Sequence, residues 1–279
     1  MAERIDHGQA SDHPWRRPLR LADLMGQDIW QCRRQFLQRL WPSARGLRVI
    51  EVGSGPAHDS LVFAEAGADV TAVDCSAEGL AMGRQFYGQL GLPLRTVLAD
   101  ARRLPLPGGA FDIAFNAGVL EHFSDQDLQA VLDEMIRVVR PGGWVLAFCP
   151  NRHNVYYQVH LRRLKRHDYH FERAFSAGQM RARFSARGLM DICVSGVHVH
   201  PAPNYLLPGW LPKHHRIEPW CRRAFGWLEH MDHWHRLKSV IAQDFVVWAK
   251  VPPRLAPLRP LAAMPAGRTA RGAQQRVPV

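Results

Sequence analysis

The sequence holds no apolar run near the roughly 18 residues that a membrane-spanning helix needs. Its first 17 residues carry Glu3, Asp6 and Asp12 around no apolar core, which argues against a signal peptide. Cysteine is sparse, and the five thiols Cys32, Cys75, Cys149, Cys193 and Cys221 contain no C-x-x-C pair. Such scatter excludes a zinc ribbon or a disulfide framework and fits reduced thiols in a cytoplasmic protein. Lysine is scarce as well: four of the 36 basic residues are Lys and the rest are Arg.

Charge is unevenly divided. Residues 1–150 hold 15 basic and 18 acidic side chains (−3), whereas 151–279 hold 21 and 7 (+14). A basic second half suits an anionic substrate, an acidic membrane surface or a nucleic acid. The Arg-Pro-Ala richness of the whole chain favours the simpler reading, a high-GC coding bias and a solvated surface. The length of 279 residues, 47% of them hydrophobic, allows one sizeable α/β domain with a cap.

Along the chain, residues 1–17 read as a loose polar segment, and 19–41 as a helix ended by Pro42. Short apolar runs at 47–52, 68–73, 94–98, 111–115 and 144–148 then alternate with helical stretches at 59–65, 77–90 and 125–139. A sharp turn is expected at 140–143. Nearly continuous apolar strands alternating with helices predict a parallel sheet covered on both faces. After Pro150 come an Arg/His/Tyr-rich segment (151–175), a helix at 176–188 with Ser176 as N-cap, and a strand at 189–197. A segment with four tryptophans follows at 199–243, and a final strand at 244–251. Residues 252–279, with six prolines and five arginines, read as a disordered tail. The domain reading is therefore 18–251, with cap segments at 151–175 and 199–243.

Four pieces carry the chemistry. Glu51-Val-Gly53-Ser-Gly55-Pro-Ala57 closes the first strand and opens a helix, so the backbone can turn tightly and approach a ligand. A dinucleotide site would place a third glycine where His58 stands, which disfavours nicotinamide. Asp74 ends the second strand, where a carboxylate can accept hydrogen bonds from ribose hydroxyls. Asp100-Ala101 follows the third strand, and Phe111 to Asn116 leads into Gly118-Val-Leu-Glu121-His122-Phe123.

In this order and spacing, the chain resembles the class I S-adenosylmethionine-dependent methyltransferases, and within them the "type 11" small-molecule group that includes quinone-biosynthesis enzymes. The resemblance is specific over 47–150 and looser through 176–197 and 244–251. It implies an α/β, Rossmann-like doubly wound seven-stranded sheet of order 3-2-1-4-5-7-6, with the last strand antiparallel and a helical cap inserted before it. It also implies S-adenosyl-L-methionine as cofactor. Glu51, Gly53 and Gly55 would line the amino-acid end of that cofactor, Asp74 would bind ribose, Asp100 and Ala101 would hold adenine, and Asn116 would lie beside the methionyl part. The usual third glycine of the turn is Ala57 here.

His122 is the candidate general base for a protonated acceptor, against the simpler role of shaping the loop. The Glu-x-x-Glu-His metal site of some quinone methyltransferases is broken, because its first position is Gly118. Histidines 198, 200, 214, 215, 230, 233 and 235 lack a completing cysteine or carboxylate pattern, so no metal is expected. Trp220, Ala224, Trp227, Met231 and Trp234 share one helical face, a packing face or a lid over a large apolar acceptor. Tyr156 and Tyr157, with Arg162, Arg163, Lys165 and Arg166, are the candidate opposite wall. The expected partner is a small-molecule acceptor, apolar or anionic, with peripheral contact to an anionic membrane surface as a variant. An RNA methyltransferase is disfavoured, since Asn116-Ala117-Gly118 lacks the Pro-Pro-aromatic signature of base-amino methylation. A non-catalytic cofactor-binding protein of the same fold is the remaining alternative.

Overall fold

Strand β1 (Arg48–Val52) is buried at four of its five positions, and β4 (Phe111–Ala117) at six of seven. Such strands must be covered on both sides, and they lie at the centre of a seven-stranded sheet of order β3-β2-β1-β4-β5-β7-β6. The other strands are β2 (Asp69–Asp74), β3 (Arg95–Leu98), β5 (Val139–Pro150), β6 (Met190–Val197) and β7 (Asp244–Lys250). Strands β1 to β5 pair in parallel, and β7 runs antiparallel to both β5 and β6. This is the order and orientation that the resemblance implies. The computed structural model describes residues 20–25, 28–164, 173–199, 223–224, 227 and 239–253. Much of the 199–243 segment and most of the 252–279 tail lie outside them.

Alternation along the strands splits the core into two layers. Val49, Ile113 and Phe115 face a layer built with α2 (Asp28–Leu40), α3 (Leu61–Glu65) and α4 (Ala77–Gln89). Ile50, Val52 and Ala114 face the opposite layer, filled by α5 (Asp125–Val138) and α7 (Ala177–Ser185). Helix α5 buries Leu128, Val131, Leu132, Met135 and Ile136, a stripe at helical spacing. Ser124 caps its first turn, and Ser176, the expected N-cap of α7, closes a capping box with Gln179.

Three boundaries differ from expectation. The 19–41 helix is two helices, α1 (Leu21–Met25) and α2, with the Met25 carbonyl accepting from Gln31 Nε2 at 2.7 Å. Helix α3 starts at Leu61 and not at Asp59, because the Ser60 N–H is taken by Glu51 and Asp59 pairs with Arg33. The expected turn at 140–143 is part of β5, since Gly142 N–H donates to Val251 and Gly143 accepts from Val251 at 2.8 and 2.9 Å. Glycine is needed at position 143: an added Cβ would lie 2.6 Å from the Asp112 carbonyl.

The opposite charges of the two halves meet in the fold. Arg173 and Arg183 both donate to Asp125 (2.9 and 2.7 Å), and buried Arg187 donates to Asp133 (2.6 Å) and to the Gln129 carbonyl. Part of the basic excess thus docks α7 and its approach onto α5. The remaining helix, α6 (Val155–Leu164), follows β5. Among the described residues no helix is long and apolar enough to cross a membrane.

Leu132 is fully buried in the α5 stripe, while Gln126 on the same helix is exposed. Leu132→Ala is therefore expected to cost about 2–5 kcal/mol in urea unfolding, and Gln126→Ala less than about 0.5 kcal/mol. Equal shifts in the two variants would contradict this packing.

Candidate cofactor site

The turn after β1 is held from beneath by its neighbours. Gly53 adopts φ +73°, and a Cβ there would meet Val119 Cγ2 at 2.6 Å, so both its conformation and its surroundings demand glycine. The N–H groups of Gly53 and Ser54 donate to the Val73 carbonyl (2.8 and 2.9 Å), tying the ends of β1 and β2 together. Asp74 completes the knot. One of its oxygens accepts from Gly55 N–H at 2.6 Å and the other from Ser76 N–H at 2.8 Å. Ser76 in turn caps α4 through Gly79 N–H, and the Asp74 carbonyl accepts from Ala99 N–H, which brings the end of β3 alongside. Helix α4 leans on the turn at Gly83, where a Cβ would stand 2.9 Å from the Pro56 carbonyl.

Glu51 lies under this turn. Its carboxyl accepts from Ser60 N–H at 3.1 Å, and Tyr87 donates to Ser60 Oγ at 3.0 Å. Burial, reinforced by the charge of Asp59, pushes the Glu51 carboxyl well above the ordinary carboxylate range, against the Ser60 hydrogen bonds and Arg33. Arg33, from α2, donates to Asp59 at 3.1 Å and to Asp244 at 2.8 Å, and its guanidinium lies over the Phe148 ring. Burial acts to lower the Arg33 pKa, but the two carboxylates raise it, so the group stays a cation. His58 is held below its ordinary value by burial, with Arg33 adding to the effect.

The other expected residues fall at the same sheet edge with different surroundings. Asp100 is half-exposed and gripped by Arg102, whose Nη2 and Nε lie 2.6 and 3.0 Å from its carboxylate and whose Nη1 reaches Asp127 at 3.2 Å. Ala101 lies beside it, partly buried. Asn116 is fully buried, and its Nδ2 donates to Met135 Sδ at 3.1 Å on the α5 side of the sheet. His122 is exposed on a short 3-10 helix, Leu120–His122, whereas its neighbour Glu121 is buried. The structure thus gathers Glu51, Gly53, Gly55 and Asp74 into one knot, sets Asp100 and Ala101 next to it, and directs the Asn116 side chain below the strand.

Of the expected acceptor walls, Tyr157 is buried, Arg162 is exposed and Trp227 donates to the Ala224 carbonyl. Lys165, Arg166, Trp220, Met231 and Trp234 lie outside the described residues, as do the histidines singled out between 200 and 235, whereas His198 is buried. Sequence reading missed Arg33, Asp59 and Arg102. Arg102 had a local signal, two positions from Asp100. The Arg33 contacts span 26 and 211 residues and left none.

The residues fit an adenosyl ligand. Each Asp74 oxygen has spent one lone pair on the backbone and keeps another, so the side chain can accept from the two hydroxyls of a ribose. The knot stands at the carboxyl ends of β1 and β2, where ligands of open α/β sheets bind. Sheet order, the antiparallel strand and this turn together define the class I methyltransferase architecture.

Comparison with known proteins gives the same class. Residues 49–143 match the family model described as "Methyltransferase domain". The chain is 28% identical over 186 residues to a ubiquinone biosynthesis O-methyltransferase of Bordetella avium, covering 63% of this chain and 76% of that protein. It is 37% identical over 112 residues to a malonyl-[acyl-carrier protein] O-methyltransferase of Pectobacterium atrosepticum, covering 40% and 42%. The latter match thus spans less than half of either chain. In fold it is similar to a SAM-dependent methyltransferase from Thermotoga maritima, with TM-score 0.58, 16% identity and coverage of 82% and 92%. Residues 49–143 thus form a methyltransferase domain, and the relatives and the shared fold support S-adenosyl-L-methionine as its methyl donor.

Glu51 gives a pH test. Between its ordinary value of 4.5 and its raised value in the fold, the unfolded chain releases a proton that the folded chain keeps. Rising pH in that window therefore lowers stability, by up to about 1.4 kcal/mol per pH unit. Glu51→Gln removes the group, so its urea midpoint is expected to gain on that of the wild type as pH rises above 4.5. Parallel midpoint curves would contradict a raised Glu51.

Proposed function

We propose that this protein transfers the methyl group of S-adenosyl-L-methionine to a small-molecule acceptor that is large and apolar or anionic. The observation that carries the reading is the knot in which Asp74 fixes Gly55 and Ser76 while keeping acceptor capacity on both oxygens. The bound cofactor supplies an electrophilic sulfonium methyl, and the protein aligns an acceptor atom with it and excludes water.

In this reading Gly53 and Gly55 let the backbone approach the amino-acid end of the cofactor, with Glu51 bracing the turn from below. Asp74 holds the ribose, while Asp100 and Ala101 hold the adenine, the Asp100 carboxylate being set by Arg102. Asn116 closes the strand end beside the methionyl part. His122, at the rim beyond β4, takes the proton of an acceptor that carries one. The small-molecule class is supported by a relative named for ubiquinone biosynthesis, and an acyl-chain acceptor by one named for malonyl-[acyl-carrier protein]. The ion pairs of Arg173, Arg183 and Arg187 with α5 also remove part of the reason to invoke a nucleic acid.

Incubation with methyl-labelled cofactor and fractionated extract of the source cell should label a low-molecular-weight product. Asp74→Ala should cut the labelling by at least about tenfold at sub-saturating cofactor, equivalent to losing about 1.4 kcal/mol of binding. Label recovered in RNA alone, or undiminished labelling by the variant, would overturn the proposal.

A further inference from the structure

We infer that Arg33 is a positioning residue that couples the cofactor turn to the stretch 239–244, and through it to the start of α6. The inference rests on the cofactor reading above. Asp59 lies six residues beyond Gly53, on the turn that leads into α3, and is 4% exposed. Asp244 is the first residue of β7. Arg33 bridges the two at 3.1 and 2.8 Å from a third element, α2. The same helix is seated by Phe36, which packs edge-on to Phe148 and Trp248, and by Trp30, whose Nε1 donates to the His58 carbonyl at 2.8 Å.

The stretch just before Asp244 is held by the end of β5, where Asn151 N–H donates to the Gln243 carbonyl at 2.9 Å. Asn151, at the end of β5, donates through Nδ2 to the carbonyls of Ser239, Val240 and Ala242 at 3.0, 3.0 and 2.8 Å. Asn154 donates to the Ile241 carbonyl at 2.9 Å, and its Oδ1 accepts from Tyr157 N–H in the first turn of α6. These polar contacts thus run from the cofactor turn, through Arg33, to the amino end of β7 beside the carboxyl end of β5. These ends lie beside the edge where an α/β enzyme takes its substrate.

Packing alone does not account for the triad. Burying three ions costs desolvation energy that well-packed apolar residues of similar volume avoid, often with equal or better stability. Among the described residues, Arg33 Nε and Asp59 Oδ1 are also buried without a hydrogen-bond partner, so the network is an incomplete one. Such a network favours one arrangement of three separate elements more than it adds stability. A ligand that fixes the turn fixes Asp59, and Arg33 carries that constraint to Asp244.

The test is hydrogen exchange read by mass spectrometry on the full chain, with and without saturating S-adenosylhomocysteine. Three proteins are compared: wild type, Arg33→Lys, and the triple variant Arg33→Met/Asp59→Asn/Asp244→Asn, which removes the three charges of the triad together. In the wild type the ligand is expected to slow exchange across both 53–60 and 239–244, the latter by at least about fivefold, the lower end of ordinary site–site coupling. Arg33→Lys should keep part of the effect, and the triple variant should keep protection at 53–60 while losing it at 239–244. A purely structural role would change exchange at 239–244 equally with and without ligand, which overturns the inference. So does wild-type protection confined to 53–60, or protection at 239–244 that survives in the triple variant. No protection anywhere in the wild type would instead defeat the cofactor reading itself.

Discussion

A carboxylate that accepts from two backbone amides on different turns leaves neither turn free to move without the other. Asp74 does this for Gly55 and Ser76, at 2.6 and 2.8 Å, and nearly everything at the sheet edge depends on it. The bond to Gly55 holds the turn after β1 in its positive-φ conformation, and the bond to Ser76 starts α4 in the right place. Because an ionised carboxylate accepts about four hydrogen bonds, the same group can brace the protein and still receive a ligand. Hydrogen bonds to a charged acceptor are also stronger than neutral ones, so the brace is stiff.

Around that knot the site is built in two tiers. Above lie the turn and the strand ends, where Asp74, Asp100 and Ala101 form a row along β2 and β3. Below lie further ionisable groups: buried Glu51 and Tyr87 each bond to Ser60, and Arg33 pairs with buried Asp59 beside it. In the lower tier burial and the charge of Asp59 push the Glu51 carboxyl up, while the paired carboxylates keep Arg33 a cation. The chemistry of a class I methyltransferase asks little of its protein beyond alignment, and this layering supplies alignment from groups that need not touch the reactants.

Much of the architecture was legible in the residues. Short apolar runs ending in Gly53 and Asp74 announce parallel strands, and Ser176 announces the start of α7. Strand order was not legible from pattern. It came from the resemblance carried by four motifs, because periodicity records which face is buried and not which strand lies beside which. The motifs also named Asp74 for what its geometry allows, yet Glu51 faces Ser60 from beneath the turn and Asn116 points to Met135.

What sequence could not show is the joining of distant segments. Arg33 meets Asp244 across 211 residues, and Asn151 meets the carbonyls of 239–242 across about 90, separations over which no local pattern persists. The 140–143 segment read as a turn because Pro141 and two glycines usually make one, but backbone pairing with Val251 holds it in β5. The central claim, that the Asp74 knot grasps an adenosyl ligand, is tested most directly by calorimetric titration of the purified protein with S-adenosylhomocysteine. The account predicts saturable binding with one ligand per chain, with heat evident at one or other of two temperatures. No heat at either temperature would contradict it.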